Sequence, residues 1–533
     1  MSMRMTGLRP RAASTGLRPW AASTGLRPWA ASTGLRPWAA AATALLLLLA
    51  AGCTGGEPTP PPAPSGSAPP SGSVPPPGSA PPSPGLSGSA PAAGETLFGA
   101  HWDWNRYAEQ EPFLRRLTGS HTYYELSWCD VEKTPGRPDW STLDRVARLS
   151  RDLGIALDLK IRVGLCWATG GTPQFTRGQA GKTESAMPRD LSRYRAFVTS
   201  LVGRYRPYGV HTYAVENEVN AQQYWAGTPQ QYADLVRAAA TAIHAADPAA
   251  TVADSGISSV ALGMGVADRL LAAGRDDAAV AAYRAYFARR IGTRGKQIPD
   301  VRDAAGLRQA LAHPTNARNL AYLAVTRQLL DQKIVQVRQV HFYETPDGVP
   351  SLLDFVRATT PSGIAVQAWE VGRFDKTASA SDPVVAREMT QVVTLLAAGG
   401  VRDIMWLPLA YNPDNRAGAE VRAGLLDPDG TLRPAGTAMA ALAAAARGAT
   451  ARPVTVAGLT GVGFTSGAST GAARTTLVVW ATGKPVATPQ PGPAVRPLAG
   501  AAVSGGGGRV IGADPVQVTS REPFDKAVAA LTR

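Results

Sequence analysis

Short apolar segments rich in β-branched and aromatic residues alternate with amphipathic stretches along residues 96–447 of the chain. Between Tyr194 and Tyr205 the apolar residues recur at three- and four-residue spacing, which places them on one face of a helix. The stretch after Thr228-Pro229 repeats this pattern, with Thr228 as the cap and Pro229 in the first turn. Eight segments have the character of strands: Leu97–Trp102, Thr122–Trp128, Ala156–Val163, His211–Asn217, Thr251–Asp254, Val337–Tyr343, Gly363–Trp369 and Asp403–Leu407.

This alternation predicts an α/β fold. Eight strands in strict alternation with helices are typical of a (β/α)8 TIM barrel, and no Gly-rich phosphate loop follows a strand, which disfavours an open doubly wound sheet. Ser141 with Asp144 predicts the start of one helix, and Gly154 predicts its end. Residues 262–330 have a mostly helical pattern and form an insertion after strand five, on the face where barrels carry their active sites.

The chain beyond the barrel, residues 448–533, changes to short β-rich segments separated by Gly and Pro turns. Pro453–Val456, Thr475–Trp480 and Val516–Val518 are the strand-like segments. We expect a small C-terminal β-sandwich that packs against the barrel.

The first 52 residues have the pattern of a secretory signal. A nine-residue unit that starts at Thr6 recurs in near-copies, and the Pro in each copy prevents these units from building a solenoid core. An apolar stretch, Ala39–Gly52, follows this basic region, as in a signal peptide. Cys53 directly after Ala-Gly resembles a bacterial lipobox, whose Cys becomes lipidated. Ordinary secretion with an incidental Cys is the alternative.

Residues 53–95 form the predicted linker. Positions 54–94 contain 14 Pro, 8 Gly and 8 Ser with a single charged residue, so they cannot bury apolar surface. A lipid anchor and a tether place the barrel outside the cytoplasm, in an oxidising compartment. We therefore expect a lipoprotein of the cell membrane, or a secreted protein. Cys129 and Cys166 form either a disulfide or two buried free thiols, because the sequence does not supply their geometry.

Composition excludes several classes of protein. Hydrophobic residues make up 44% of the chain, and nine Trp follow residue 100, which excludes wholesale disorder. No apolar run reaches the roughly 18 residues that a spanning helix needs, which excludes a polytopic membrane protein. The formal charge of +14 includes six Arg in residues 1–52, and 48 basic against 40 acidic residues remain from Cys53 onward. Since these charges are dispersed, we expect no nucleic-acid partner.

Two glutamates end predicted strands. Asn217-Glu218 ends strand four, and Glu370 ends strand seven. These strands are three apart around an eight-stranded ring, so their terminal side chains converge over the barrel mouth. Two carboxyl groups about 5–5.5 Å apart suit a retaining glycosidase, in which one is the nucleophile and the other the acid and base. This chemistry needs no cofactor, and no Cys/His cluster has zinc spacing, so we expect no metal.

These motifs resemble those of the retaining (β/α)8 glycoside hydrolases of clan A, nearest in style to families 5 and 39. The resemblance covers residues 96–447. It implies that Glu218 is the acid/base, that Asn217 holds the sugar 2-hydroxyl, and that Glu370, followed by Val-Gly, is the nucleophile.

Two further matches extend the resemblance to strands six and eight. His341-Phe342-Tyr343 matches the clan's His-x-Tyr, in which the Tyr hydroxyl bonds the nucleophile. Trp406 ends strand eight, where the clan places a Trp platform beneath the −1 sugar, and we expect its N–H to be free for a hydroxyl. Trp102, Trp128 and Trp167 lie near other strand ends, where such aromatics are either sugar platforms or loop packing.

The chain departs from the clan's pattern on both sides of Asn217-Glu218 and in strand two. Glu216 and Val219 replace the Trp and Pro that often flank Asn-Glu, and Glu216 has the same strand parity as Glu218, so it is an alternative acid/base. The Arg that usually lies late in strand two to orient the nucleophile is missing. Arg162 on strand three either reaches inward in its place or forms a structural salt bridge.

The predicted function is a retaining glycoside hydrolase that cleaves O-glycosidic bonds in a poly- or oligosaccharide by double displacement. A non-catalytic surface carbohydrate-binding barrel is the alternative from another class, and a transglycosylase would use the same residues. We expect a monomer whose partners are the carbohydrate and, through the lipid anchor only, the membrane.

Overall fold

A computed structural model describes residues 96–170, 185–374, 381–410, 423–456, 458–467, 474–488, 495–498 and 510–531. The predicted signal segment, the linker and Cys53 lie outside the described residues. None of the helices in the described ranges combines the length and apolar character needed to cross a bilayer.

Eight parallel strands form the predicted barrel. The strands are β1 Phe98–Ala100, β2 His121–Ser127, β3 Ala156–Arg162, β4 Thr212–Val215, β5 Thr251–Ala253, β6 Val337–Phe342, β7 Ala365–Val371 and β8 Arg402–Trp406. Their order in the sheet is β1-β8-β7-β6-β5-β4-β3-β2, so sequence neighbours pair except at the seam between β1 and β2, and β1 pairs with β8.

Side chains bridge the seam between β1 and β2. The Thr122 hydroxyl donates to the Ala100 carbonyl at 2.9 Å, and His101 Nδ1 lies 3.1 Å from the Tyr123 carbonyl. A Cβ atom on Gly99 would come within 2.0 Å of the His121 carbonyl oxygen. Glycine at this position therefore allows the two strands to approach.

Helices separate the strands, as the alternation predicts. They are α1 Tyr107–Leu114, α2 Trp128–Val131, α3 Ser141–Leu153, α4 Leu191–Tyr205, α5 Pro229–Ala246, α6 Ser259–Ala272, α7 Asp276–Tyr286, α8 Ala304–Leu311, α9 Pro314–Asp331, α10 Val349–Thr359, α11 Asp382–Ala398, α12 Pro434–Ala446 and α13 Phe524–Ala529. Helices α6 to α9 make up the predicted helical insertion between β5 and β6.

Helix α5 begins as its sequence predicts, because Thr228 and Gln231 form a capping box. Helix α3 ends at Gly154 in the left-handed conformation. Its start differs from the prediction: Trp140 is at the cap position, and the Asp139 carboxylate accepts from the Ser141 N–H at 3.0 Å.

Asp144 contributes to tertiary packing instead of to the start of α3. Its carboxylate pairs with Arg204 at 2.6 Å and accepts from the Tyr205 hydroxyl at 2.9 Å, so it ties α3 to α4.

The barrel interior combines apolar packing with paired polar groups. Tyr123, Ala214, Ala253, Val337, Trp369 and Met405 form its apolar cluster. Near the N-terminal ends of the strands, His121 lies 3.1 Å from Asp158 and 3.6 Å from Asp403. Buried charges of opposite sign are thus paired at the barrel floor, at the end away from the mouth.

The C-terminal region, where we expected a small β-sandwich, contains antiparallel sheets. Its strands are β9 Thr450–Val456, β10 Leu459–Ser466, β11 Arg474–Ala481, β12 Val486–Ala487, β13 Val495–Pro497, β14 Val510–Ile511 and β15 Val516–Ser520. The order β13-β15-β11-β10-β9 makes a five-stranded sheet, and β12 pairs with β14 in a separate two-stranded sheet. The Phe464 ring on β10 meets Phe98 of the barrel edge-on at 5.9 Å, while Phe524 of α13 belongs to the core on the other face.

Candidate active site

The end of β4 turns sharply. Regular strand geometry stops at Val215, and Glu216 and Glu218 have positive φ angles of 68° and 40°. Non-glycine residues in this region cost of order 1–3 kcal/mol and persist where the surroundings hold them. The Glu216 N–H donates to the Ile161 carbonyl at 3.0 Å, and the Glu218 N–H donates to the Ser255 carbonyl at 3.1 Å, so the neighbouring strands hold this turn.

This turn separates Glu216 from Glu218. Glu216 is fully buried, and its carboxylate accepts from the Val163 N–H at 2.8 Å and lies 3.5 Å from Arg162. Burial raises the pKa of Glu216 to about 7, although Arg162 opposes the shift. Glu216 was an alternative to Glu218 because alternate residues of a regular strand point to the same side. The regular strand ends at Val215, so this argument does not apply to Glu216.

Of the two roles considered for Arg162, the structure has the structural salt bridge. Its guanidinium pairs with Glu125 at 3.1 Å and with Glu216 at 3.5 Å, and it donates to the Tyr224 carbonyl at 2.9 Å. These partners lie on β2 and after β4, so Arg162 joins three neighbouring segments.

Glu218 and Glu370 come together at the barrel mouth, with His341 between them. His341 Nδ1 lies 3.0 Å from Glu218 Oε1 and 3.4 Å from Glu370 Oε2. One oxygen from each carboxylate and one ring nitrogen all lie within 4.8 Å of one another. On the other side of the ring, His341 Nε2 lies 3.4 Å from Lys160 Nζ.

Three donors surround the Glu370 carboxylate. Lys160 Nζ lies 2.6 Å from Oε1, the Tyr123 hydroxyl donates to Oε1 at 3.2 Å, and the Tyr343 hydroxyl donates to Oε2 at 3.0 Å. The bond from Tyr343 is the one that the His-x-Tyr motif predicts.

Burial of Glu370 on its own raises the pKa of this carboxyl. His341 and Lys160 outweigh burial through their charges, and hydrogen bonds from Lys160 and Tyr343 add to their effect, so the pKa lies well below its usual range. Burial and the nearby Glu370 raise the pKa of Tyr123 well above its ordinary value, which keeps its hydroxyl a donor. The site thus holds one carboxylate that stays ionised.

Lys160 and Tyr123 are site residues that the sequence analysis did not identify. The Lys160 side chain is fully buried, donates to Asn217 Oδ1 at 2.7 Å and lies 4.3 Å from the centre of the Tyr123 ring. It provides from β3 the cation that the missing Arg of strand two would supply. A lysine in the middle of an otherwise buried strand was the available signal, since lysine is almost never fully buried without a partner.

Irregular strand pairing directs His341 and Glu370 toward each other. The register between β6 and β7 shifts between Gln339 and His341, after which His341 pairs with Glu370. Such irregularities redirect side chains and are frequent next to active sites.

The aromatic residues at the strand ends differ in their surroundings. Trp406 is buried, and its indole N–H donates to the Ala423 carbonyl at 2.8 Å, so the free N–H expected there is wrong. The contact follows from the chain beyond β8, which returns over the indole and was not predictable from strand position. Trp102 lines a cavity of about 440 Å³ at the ends of β1, β2 and β8.

Trp128 and Trp167 belong to one aromatic cluster. Both rings meet edge-on at 5.4 Å, and Trp128, which is buried, stacks on Phe197 of α4 at 5.6 Å. Their indole N–H groups donate to the side chain and to the backbone carbonyl of Glu132, at 2.8 and 2.7 Å. Trp128 is therefore part of the packing and not an open sugar platform. Trp167 is only partly buried.

Cys129 and Cys166 form a disulfide, which decides between the two states that the sequence left open. Their Cα atoms are 5.5 Å apart, within the usual range for such a bond. The disulfide connects α2, directly after β2, to the segment after β3.

Among the described residues, the group of side chains that could bind a metal ion consists of Glu218, His341 and Glu370. Lys160 Nζ lies 2.6 Å from Glu370, so a divalent cation bound there would face a fixed positive charge. The donors also include two tyrosine hydroxyls on Glu370, which satisfy its oxygen atoms. The arrangement suits proton transfer and nucleophilic attack better than metal binding.

The solved structures similar to this chain include glycoside hydrolases. A family 39 glycoside hydrolase from the gut symbiont Bacteroides cellulosilyticus WH2 aligns with a TM-score of 0.54 and 13% identity, over 79% of this chain and 81% of that one. A GH39 β-xylosidase from Caulobacter crescentus aligns with a TM-score of 0.48 and 14% identity, over 81% and 98% of the two chains. A GH30 endoxylanase from Clostridium papyrosolvens C71 gives 0.45 and 15%, over 80% and 97%.

No family model matches the sequence, and no curated protein matches it. At identities this low, structural similarity establishes the fold. The resemblance to the clan A barrels that the motifs predict is thus confirmed in the fold, and in that respect this chain is similar to the family 39 glycoside hydrolase.

Proposed function

We propose that this protein is a retaining glycoside hydrolase that cleaves O-glycosidic bonds in a poly- or oligosaccharide by double displacement. The observation that carries the proposal is the pair of carboxylates from β4 and β7, with oxygen atoms within 4.8 Å of each other. Retaining enzymes need two carboxyl groups about 5–5.5 Å apart, because no water has to fit between nucleophile and sugar in the first step.

Glu370 is the nucleophile in this proposal. Lys160, Tyr123 and Tyr343 hold its carboxylate ionised and oriented. It attacks the anomeric carbon while Glu218 gives its proton to the departing glycosidic oxygen. The bond to the leaving alcohol breaks as the bond to Glu370 forms, which yields a covalent glycosyl-enzyme.

Glu218 acts as the base in the second step. It removes a proton from water, whose oxygen attacks the same carbon and releases Glu370 as a carboxylate. Two inversions at the anomeric carbon retain its configuration. Asn217, held through Lys160 at 2.7 Å, is the proposed partner of the sugar 2-hydroxyl.

Two other functions share parts of this site. A carbohydrate-binding barrel needs no buried carboxylate kept ionised by a buried ammonium, so the contact between Lys160 and Glu370 favours an enzyme. A transglycosylase uses the same residues, and an analysis of products with and without an acceptor sugar separates it from a hydrolase.

Azide rescue tests the two roles. Glu218→Ala removes the proton donor, which matters least for an activated aryl leaving group, so azide should restore turnover with retained configuration. Glu370→Ala removes the nucleophile, and azide in its place should give a product of inverted configuration. Proton NMR of the azide products from an aryl glycoside measures both outcomes.

Glu216→Ala is the matched control, because Glu216 is a buried glutamate two residues from Glu218 that contacts Arg162 instead. Azide should not change its products. A panel of 2-fluoro glycosides, followed by mass spectrometry of the labelled peptide, identifies both the sugar and the nucleophile. Swapped azide products would reverse the two roles, and full activity of Glu370→Ala would rule out the retaining mechanism.

We also propose that the mature chain is anchored outside the cytoplasm through a lipid on Cys53. The support is the sequence alone: a basic region, an apolar stretch and Ala-Gly-Cys, followed by a Pro/Gly/Ser-rich linker. Such an anchor would hold the barrel at the membrane surface, within reach of an extracellular polysaccharide.

A further inference from the structure

The segment that carries Glu218 contacts the helical insertion. Residues 216–228 connect β4 to α5, and α9 of the insertion lies against this connection. Glu218 has φ 40°, a left-handed backbone conformation that is unfavourable for a residue with a Cβ atom and persists where surrounding groups hold it. The groups of α9 that contact this segment therefore bear on the position of the proposed acid/base.

Arg318 on α9 binds three carbonyl groups of the segment. Its Nε donates to the Asn220 carbonyl at 2.9 Å, and its Nη2 donates to the carbonyls of Val219 at 3.2 Å and Trp225 at 2.9 Å. A guanidinium presents its donors in a rigid planar fork, so these bonds fix the carbonyls relative to one another. Two of the three carbonyls belong to the residues directly after Glu218, so Arg318 holds the backbone there.

Two further side chains of α9 bind the same segment. Asn319 Oδ1 accepts from Asn220 Nδ2 at 2.8 Å, and both residues are buried. The Tyr322 hydroxyl donates to the Gly227 carbonyl at 2.6 Å, and the Arg318 guanidinium lies 4.7 Å from the centre of the Tyr322 ring. Buried polar groups are costly to leave without a partner, so these contacts resist displacement of the segment.

The side chains of the two proposed catalytic glutamates are held differently. Three donors surround the Glu370 carboxylate. In the described part of the chain, the hydrogen-bonding partner of the Glu218 carboxylate is His341, at 3.0 Å. The direction of the Glu218 carboxylate therefore depends more on its backbone than the direction of Glu370 does.

We infer that Arg318 and Asn319 are positioning residues that hold Glu218 in place as the proton donor, an inference that rests on the proposed function. Both act through Val219 and Asn220 and not through contact with the sugar. A proton donor has to lie within hydrogen-bond reach of the departing oxygen, and a displacement of about 1 Å can cost about 100-fold in rate. The helical insertion thus contributes to proton transfer through the backbone of another segment.

The choice of leaving group tests this role. Proton donation matters for a poor leaving group such as an alcohol, and little for an activated one such as dinitrophenolate. In Arg318→Met, kcat/KM should fall about 30-fold for the methyl glycoside and less than about threefold for the dinitrophenyl glycoside of the same sugar. Asn319→Ala should show the same selectivity with a smaller loss. A merely structural defect would lower both values equally.

Two more variants complete this experiment. Arg327→Met is the matched control, because Arg327 lies on the same helix and pairs with Asp331 at an exposed position. It should leave kcat/KM unchanged for both glycosides. Arg318→Lys keeps a cation without the planar fork, so it should give an intermediate loss with the same selectivity. It also replaces Arg318→Met in the experiment if that variant does not fold.

Hydrogen exchange followed by mass spectrometry provides a measurement that does not depend on activity. Exchange of backbone amides reports local opening of the chain. In Arg318→Met the amides of residues 216–228 should exchange at least about tenfold faster than in the wild type, since the carbonyls of this segment lose their common partner. Arg327→Met should exchange as the wild type does.

The outcomes separate the positioning role from the proposed function. Equal losses on both glycosides, or no loss in a folded Arg318→Met or Arg318→Lys protein, would overturn the positioning role. Unchanged exchange in residues 216–228 would overturn the contact on which it rests. A wild-type protein that hydrolyses no glycoside would refute the proposed function, whereas faster exchange in its Arg318→Met variant would still support the hold of α9 on this segment.

Discussion

Lys160 contacts Glu370 and Asn217 at once, although it was not identified from the sequence. Its ammonium lies 2.6 Å from the Glu370 carboxylate in a fully buried position. Removal of a buried partner leaves the remaining charge uncompensated, and the carboxylate then favours its protonated form. The ionisation of the proposed nucleophile thus depends on a residue of a different strand.

Lys160→Met should lower kcat by about 100-fold, the order seen when a preorganised partner of a reacting group is lost. The pKa of Glu370 should rise, so the acid limb of the kcat/KM profile should move to higher pH. Arg162→Met is the control, because it removes a buried cation of the same strand that pairs with Glu125 and Glu216. An acid limb that stays in place in Lys160→Met would show that Lys160 does not keep Glu370 ionised.

The connection from β5 to α6 determines the position of His341. Gly256 in this connection has φ +66°, and a Cβ atom there would come within 2.0 Å of His341 Nε2. His341 Nδ1 contacts both proposed catalytic glutamates. A loop that contributes no catalytic side chain therefore shapes the site from behind His341.

Gly256→Ala should displace His341 and lower kcat at least about tenfold, since a small misplacement of catalytic groups costs as much as 100-fold. Gly274→Ala is a matched control, because Gly274 has φ +68° with open space around it. Both variants should lose about 1 kcal/mol of stability through the backbone conformation alone. Equal kcat values in the two variants, measured with one aryl glycoside, would contradict this role of the loop.

Across the whole molecule, the barrel floor contains an ion pair that links folding stability to pH. Burial lowers the pKa of His121, but Asp158 and Asp403 outweigh it and raise the pKa to about 9. The imidazolium of the folded protein therefore holds its proton more tightly than the unfolded chain, where the pKa is about 6.5. This stabilisation is complete below about pH 6.5 and is lost as the pH rises through about 9.

The free energy of unfolding should accordingly fall between pH 6.5 and pH 9 in urea titrations. His121→Gln should be less stable at pH 6 and should show a smaller fall over the same range. His211→Gln is the control, since His211 pairs with Asp247 at a half-exposed position. A wild-type stability that does not change over this range would refute the link.

The lipid anchor is also a prediction for the whole molecule. Cys53→Ala should leave the membrane fraction of the producing cell, because two or more acyl chains make attachment durable and the variant has none. Thr54→Ala, next to it in the linker, should remain membrane-bound. If Cys53→Ala stays as firmly bound as the parent, the lipoprotein assignment is wrong; immunoblots of washed membranes measure all three proteins.

The architecture of the barrel and the proposed catalytic pair could be predicted from the sequence alone. Strand and helix periodicities are local properties, so their alternation predicted the barrel. Asn217-Glu218, His341 to Tyr343 and Glu370 could be placed because strand ends in a barrel converge on one mouth.

The contacts that those residues make could not be predicted, because they depend on how distant segments of the chain meet. Lys160 contacts Glu370 across the barrel, 210 positions away in the chain. Glu216 leaves the mouth because the backbone turns to positive φ directly after β4, which strand parity does not anticipate. Trp406 and Cys129 each contact a segment further along the chain, at Ala423 and at Cys166. Contacts between distant segments arise from barrel closure and backbone turns, and neither is written in the period of a single strand.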